Sequence, residues 1–358
     1  MLASVGNYAW GIMPMNYYMY SGLAGMALVL NRMNNTNIIG SQELYNTVVN
    51  MLFQYTDNCS LSEKYLTTKK TGGFEGESSI IYCYLLLYRW TKNRLFLIYA
   101  DKHVKVLERL LPNDTVLDFL SGNAGAAQVL MALYSSTYNR KYLTIAENIV
   151  NDMVEKFIYK KKEQKHAILS RSGIAHGISG FIIPICSLFK YTRKSKYVTL
   201  IRYLIRQENQ LFDYSINNWS DIQKDYRSAE ERDSVSWCNG APGILLSRLY
   251  CFENMGTISI SPEIRYDIMR AYKKTVGKWQ RDSFCLCHGN FGNLSILSKA
   301  EGLVSPKTHK YYCLFQESLK SLRLLPQEEY KPGLMDGYGG EVFSALCRNE
   351  IINLLLLL

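Results

Sequence analysis

The chain has 358 residues, 47% hydrophobic and 20% charged, with a formal net charge of +10. That balance excludes intrinsic disorder and supplies enough apolar surface for a substantial core, built either as two ordinary domains or as one large domain if a repeat spreads the core along the sequence. The positive charge favours an acidic partner only by biasing encounter, and no apolar run reaches the roughly 18–20 residues of a membrane span.

The first stretch, "MLASVGNYAWGIMPMNYYMY" (1–20), lacks the cationic start and clean apolar run of a signal peptide. A cytoplasmic location is expected, and the nine cysteines are then free, metal-bound or catalytic rather than paired. Two glycines and a proline before residue 21 argue against a long helix there.

From residue 21 onward one pattern recurs seven times, a Gly-x-x-Gly turn followed by an apolar helix. It reads "SGLAGMALVL" (21–30), "GGFEGESSIIYCYLL" (72–86), "SGNAGAAQVLMAL" (121–133), "HGISGFIIPICSLF" (176–189), "NGAPGILLSRL" (239–249), "HGNFGNLSIL" (288–297) and "DGYGGEVFSAL" (336–346). Taking Gly22, Gly73, Gly122, Gly177, Gly240, Gly289 and Gly337 as the first glycines puts the copies 48 to 63 residues apart. Between them run longer amphipathic stretches, at 41–58, 94–111, 141–158, 196–212 and 262–279, with one charged face. The lysine clusters "YKKKEQK" (159–165) and "YTRKSK" (191–196) read as solvated helix ends, not as a nucleic-acid groove.

Each repeat is therefore a polar-faced helix, a connection, a glycine turn and an apolar helix. Seven such hairpins predict an all-α fold, an α/α toroid with an inner barrel of apolar helices inside an outer layer. An open solenoid would carry polar caps on its end repeats, and the first and last copies look like the rest. The glycine turns then share one end of the barrel, where glycine supplies positive φ and close backbone approach.

Only some turns carry reactive groups. The fifth has Cys238 two residues before its glycine, and the sixth has Cys287 and His288 before Gly289. Two thiols and an imidazole from adjacent repeats match a Cys₂His zinc site with an open fourth position. Cys285, two residues before Cys287, reads as packing. In the fourth turn His176 precedes Gly177, and Asp118 stands four residues before Gly122. A histidine at the mouth of such a barrel can move protons, and a carboxylate beside it can orient it.

The motifs "GIAHGISG", "WCNGAPG" and "CHGNFG", together with the seven-fold turns, resemble the LanC-like lanthipeptide cyclase family across nearly the whole chain. "SWCNGAPGI" and the ending "GLMDGYGGEVFSALCRNEIINLLLLL" are most similar to the C-terminal cyclase domain of class II synthetases of the LanM type. The resemblance implies an α/α toroid, one zinc at Cys238, Cys287 and His288, and catalytic roles for His176 and Asp118. It implies addition of a precursor-peptide cysteine to dehydroalanine or dehydrobutyrine, giving (methyl)lanthionine thioether rings. Two positions depart from the family: Asn239 follows the ligand cysteine where histidine or tyrosine is usual, and Arg232 stands five residues before Trp237, too far upstream to count as catalytic.

Residues 1–358 are read as one cyclase domain. The absence of an outer helix before Gly22 suggests the cyclase part of a longer synthetase, with a dehydratase domain upstream or in a partner chain; a stand-alone cyclase with an imperfect ring is the alternative. Rival functions are addition of glutathione to dehydrated residues in proteins and a non-catalytic, zinc-braced peptide-binding toroid. The glycine turns lack the Gly-Lys-Ser/Thr end of a phosphate loop.

Overall fold

The computed structural model describes residues 2–4, 10–12, 14–36, 38–156, 171–220, 228, 232–256, 262–322 and 331–358. The lysine cluster at 159–165 lies outside them. Seven apolar helices follow the seven turns: α1 (Leu23–Asn34), α3 (Glu77–Thr91), α5 (Asn123–Thr137), α7 (Ile178–Thr192), α9 (Ala241–Met255), α11 (Asn290–Ala300) and α13 (Tyr338–Cys347). The amphipathic stretches form α2 (Ser41–Leu61), α4 (Leu95–Leu110), α6 (Arg140–Val154), α8 (Ser195–Asn209), α10 (Pro262–Lys278) and α12 (Lys310–Ser321). No described residue before α1 is helical; Leu2–Ser4 and Trp10–Ile12 pair there as antiparallel strands β1 and β2.

Burial separates the two sets. Every residue of α7 from Ile178 to Phe189 is buried, and every residue of α5 from Asn123 to Leu133. The outer α6 buries only Tyr142, Ala146, Ile149, Val150 and Met153, one stripe at helical spacing. Inner helices touch their inner neighbours in chain order from α1 to α11, and α13 returns to pack on α1. The architecture is an α/α toroid, as expected.

The tight hairpins, however, pair each inner helix with the outer helix that follows it, α1 with α2 through α11 with α12. The phase is shifted from the sequence reading, in which the outer helix came first. The reason is the shortness of the inner-to-outer link. At three of these corners a single non-glycine residue, Lys92, Tyr138 or Arg193, adopts the left-handed conformation with φ of 54–58°. The threonine before each one (Thr91, Thr137, Thr192) donates back to the carbonyl four residues earlier and accepts the amide two residues later. These side-chain bonds replace the helical partners that the corner loses. The cluster at 191–196 is one such solvated corner. The long interval before the fifth turn holds a hairpin of β3 (Phe212–Asp213) and β4 (Asn218–Trp219).

The glycine register of the second repeat needs correction. The residue before the first residue of each inner helix is Gly22, Gly76, Gly122, Gly177, Gly240, Gly289 or Gly337, so the first glycine of that repeat is Gly76 and not Gly73. Nor is positive φ the general reason for the motif, since among these seven only Gly240 has it, at 86°. Close approach is. A Cβ on the second glycine, at Gly25, Gly125, Gly180, Gly243, Gly292 or Gly340, would lie 2.0 to 2.4 Å from a carbonyl oxygen of the incoming turn. In the second repeat that place is taken by Ser79, whose amide and hydroxyl both donate to the Gly76 carbonyl.

After α13 the chain turns inward. Helix α14 (Ile351–Leu356) and the two residues after it fill the middle of the ring, with Leu354 to Leu357 at most 1% exposed. Inner-layer side chains hold this segment by its carbonyls: Tyr82 donates to Asn353 and Leu358, Gln128 to Leu357 and Trp237 to Leu355. Arg89 also donates to the Leu358 carbonyl. A side chain on Gly73 would collide with Leu357.

Candidate metal centre and acid-base pair

The turns are joined to one another by their main chains. The residue two before the helix-capping glycine is Tyr20, Phe74, Leu120, Ala175, Cys238, Cys287 and Met335 in the seven turns. Amides at this level donate to the next turn's carbonyl, Tyr20 to Phe74 (3.1 Å), Phe74 to Leu120 (3.0 Å), Leu120 to Ala175 (3.0 Å) and Ala175 to Cys238 (3.1 Å). The circuit resumes from Cys287 to Met335 (2.9 Å) and from Met335 to Tyr20 (2.9 Å). Among the described residues no main-chain bond joins the fifth turn to the sixth. There the side chains of Cys238 and Cys287 meet instead.

Pairing with Cys287 is the largest cause that brings the Cys238 thiol down to about 6, and the Ser236 hydroxyl oxygen, 3.3 Å from the Cys238 sulfur, and the nearby His288 act the same way. The same pairing and burial push the Cys287 thiol well up. The two thiols hold equivalent positions of adjacent repeats.

His288 stands beside them, but its imidazole hydrogen-bonds Cys285, which raises its pKa. Cys285 is buried, as a packing residue would be, yet it is also the partner of His288. Among the described residues no three His, Cys, Asp or Glu side chains enclose an ion as they stand. The donor chemistry nevertheless fits a thiophilic divalent ion, two sulfurs and an imidazole being the set that zinc favours. Asp336, the residue before Gly337, adds a buried carboxylate oxygen, Oδ1, with no hydrogen-bond partner among the described residues, close enough to His288 for their charges to interact.

The fourth and third turns supply the second group. His176 Nδ1 lies 2.7 Å from Asp118 Oδ2, while the other Asp118 oxygen accepts the Ser121 amide at 2.6 Å. The hydrogen bond to Asp118 is the largest cause that raises the His176 pKa, against burial, which lowers it. The bond between Ala175 and Cys238 ties this turn to the thiol turn, and the Cys238 charge reaches His176.

The family model described as lanthionine synthetase C-like protein matches residues 13–350. The chain belongs to the lanthionine synthetase C-like family. It is similar to the lacticin 481/lactococcin biosynthesis protein LcnDR2 of Lactococcus lactis subsp. lactis, 27% identical over an alignment of 299 residues that covers 76% of this chain and 30% of that protein. The chain thus spans less than a third of the length of that curated relative. Among solved structures, nisin cyclase shares the fold with a TM-score of 0.69 at 19% identity, covering 95% of this chain and 92% of that one.

In this lanthionine synthetase C-like chain the two departures noted in the sequence have structural roles. Asn239 frames the fifth turn through its main chain, which exchanges hydrogen bonds with Ser236. Arg232 pairs with Asp213 at 2.6 Å in the β3–β4 hairpin. Tyr20, Ser236 and Asp336 escaped the sequence reading. Tyr20 carried a usable signal, since it holds the same register before its glycine as the two cysteines. Among the described residues no helix is long and apolar enough to cross a membrane.

Proposed function

We propose that this chain is a zinc-dependent lanthipeptide cyclase that adds a cysteine thiol of a dehydrated precursor peptide to dehydroalanine or dehydrobutyrine. The observation that carries the reading is the meeting of Cys238 and Cys287 at one mouth of the toroid with the His176–Asp118 pair bound to the same turn. Cys238, Cys287 and His288 would hold the ion, with His288 turning away from Cys285 to do so. When bound, zinc supplies a Lewis acid that keeps a peptide thiol deprotonated near neutral pH.

In the addition, the peptide sulfur forms a bond to the β-carbon, the C=C π pair moves to the α-carbon side as an enolate, and a proton must then reach the α-carbon. His176 is the donor in this scheme. Asp118 fixes its Nδ1 and favours the imidazolium, leaving Nε2 to deliver the proton. The thiol proton released at the start balances the one delivered at the end. A dehydratase, in the same chain or in a partner, must supply the unsaturated residue.

Metal content of the purified protein tests the reading. About one zinc per chain is expected in the wild type and none in Cys238→Ala, with cyclisation of dehydrated peptide lost in the variant. A metal-supplemented wild type that retains no zinc would overturn it.

A further inference from the structure

The fourth turn is held from outside the inner layer as well as from within. Its own main chain closes it through the Ile178 amide on the Arg171 carbonyl (3.0 Å) and the Gly180 amide on the Gly173 carbonyl (3.3 Å). The amides of Gly173 and Ser179, which stand on either side of His176, instead reach one side-chain oxygen. Glu208 of the outer helix α8 accepts both on Oε1, at 3.1 and 3.0 Å. Its Oε2 accepts the Ser179 hydroxyl at 2.8 Å and Arg248 Nη2 at 2.7 Å. Glu208 is fully buried, and a carboxylate is tolerated there only with its oxygens satisfied in this way.

Gly173 is also where this turn meets the thiol turn. It has a φ of 92°, and a Cβ on it would lie 2.6 Å from the Cys238 carbonyl oxygen. Two residues on, the Ala175 amide donates to that same carbonyl at 3.1 Å, and His176 follows directly. The placement of Gly173 and Ser179 thus sets the backbone of His176 and its offset from Cys238.

We infer that Glu208 is a positioning residue for His176, its Oε1 holding both ends of the fourth turn so that the imidazole keeps its place beside Asp118 and the Cys238 turn. The inference rests on the role proposed above for His176. A displacement of about 1 Å in a reacting group, caused from a distance, costs up to about 100-fold in rate.

Two substitutions separate this role from mere neutralisation of the buried Arg248. Glu208→Asp keeps the charge but is one methylene shorter, which withdraws the oxygen from the two amides. Glu208→Gln keeps an oxygen for the amides and gives up the charge. With dehydrated peptide as substrate, kcat is expected to fall about 10–100-fold in Glu208→Asp with little change in KM, and far less in Glu208→Gln. The His176 ring, followed by NMR in metal-free protein, gives a reading that needs no activity. Its titration midpoint should move down towards the ordinary histidine value in Glu208→Asp, as the contact with Asp118 loosens, and stay in place in Glu208→Gln. The charges that act on His176 are those of Asp118, Arg171 and Cys238, and neither variant alters them, so a moved midpoint reports displacement of the turn. If Glu208→Asp loses its helical circular dichroism, Ser179→Pro takes its place with the same expected losses, because it removes one of the two amides and copies Pro242 at the same position of the fifth turn. An unchanged kcat and midpoint in the folded variant, or a Glu208→Gln impaired more than Glu208→Asp, overturns the inference. A rate that survives His176→Ala overturns the catalytic reading instead, and the midpoint alone then decides whether Glu208 holds the turn.

Discussion

His176 is set chiefly by one neighbour. The Asp118 carboxylate raises its pKa, so its folded value lies above the unfolded one near 6.5. The stabilisation this gives is complete below the unfolded value and is lost as pH rises through the folded one. With 36% of the side chain exposed, solvent screens the effect on stability, and the pair should be visible mainly in the rate. If imidazolium is the proton donor, activity falls as pH rises through the raised value. Asp118→Asn is expected to shift that falling limb to lower pH and to reduce the rate most on the alkaline side, with little change in KM; a limb that stays in place in the pH–rate profile would refute the assignment. Both residues were legible because each stands beside a glycine turn. The partnership of Cys285 with His288 was not, because spacing within one turn does not say which way an imidazole rotates.

Between elements, buried polar ties were invisible in the sequence. Arg248 of α9 is fully buried, with Nη2 2.7 Å from Glu208 of α8 and Nε 3.0 Å from Asp267 of α10. Glu208 also accepts the amides of Gly173 and Ser179, so the outer layer grips the fourth turn, which carries His176. Arg248→Met would leave two carboxylates buried without their cation, at a cost of about 3–5 kcal/mol. Denaturant unfolding should show a lower midpoint with an unchanged slope; an unaltered midpoint would show that the charges neutralise one another less than their distances imply. The apolar run of α9 was legible, but an arginine within such a run reads as an interruption until its partners are seen. The second repeat shows the converse limit. "GGFEG" offers three glycines, and only the three-dimensional position of the helix start identifies Gly76 as the cap.

At the scale of the molecule, the toroid was legible because one turn repeats seven times, each copy with its own apolar helix. The filling of its centre was not, since "NLLLLL" reads equally well as the end of an ordinary core helix. Four buried leucines at roughly 1.5–3 kcal/mol each amount to a large share of an ordinary domain's stability. Removing residues 354–358 strips Trp237 and Gln128 of their acceptors. Tryptophan emission should shift to the red and the unfolding transition should broaden; an unchanged spectrum with a sharp transition would show that the inner helices close without this segment.

The same segment dictates the order of assembly. Tyr82 of α3 finds its acceptors 271 and 276 positions further along the chain, and α1 finds α13. Contacts across such separations carry the loop-closure cost that slows folding. During synthesis, six hairpins leave the ribosome with the inner faces of their apolar helices still wet, exposed to the association that threatens any half-made core. The ring closes only when α13 reaches α1, and the buried leucines 354–357 act as the latch that converts a row of waiting hairpins into a closed body.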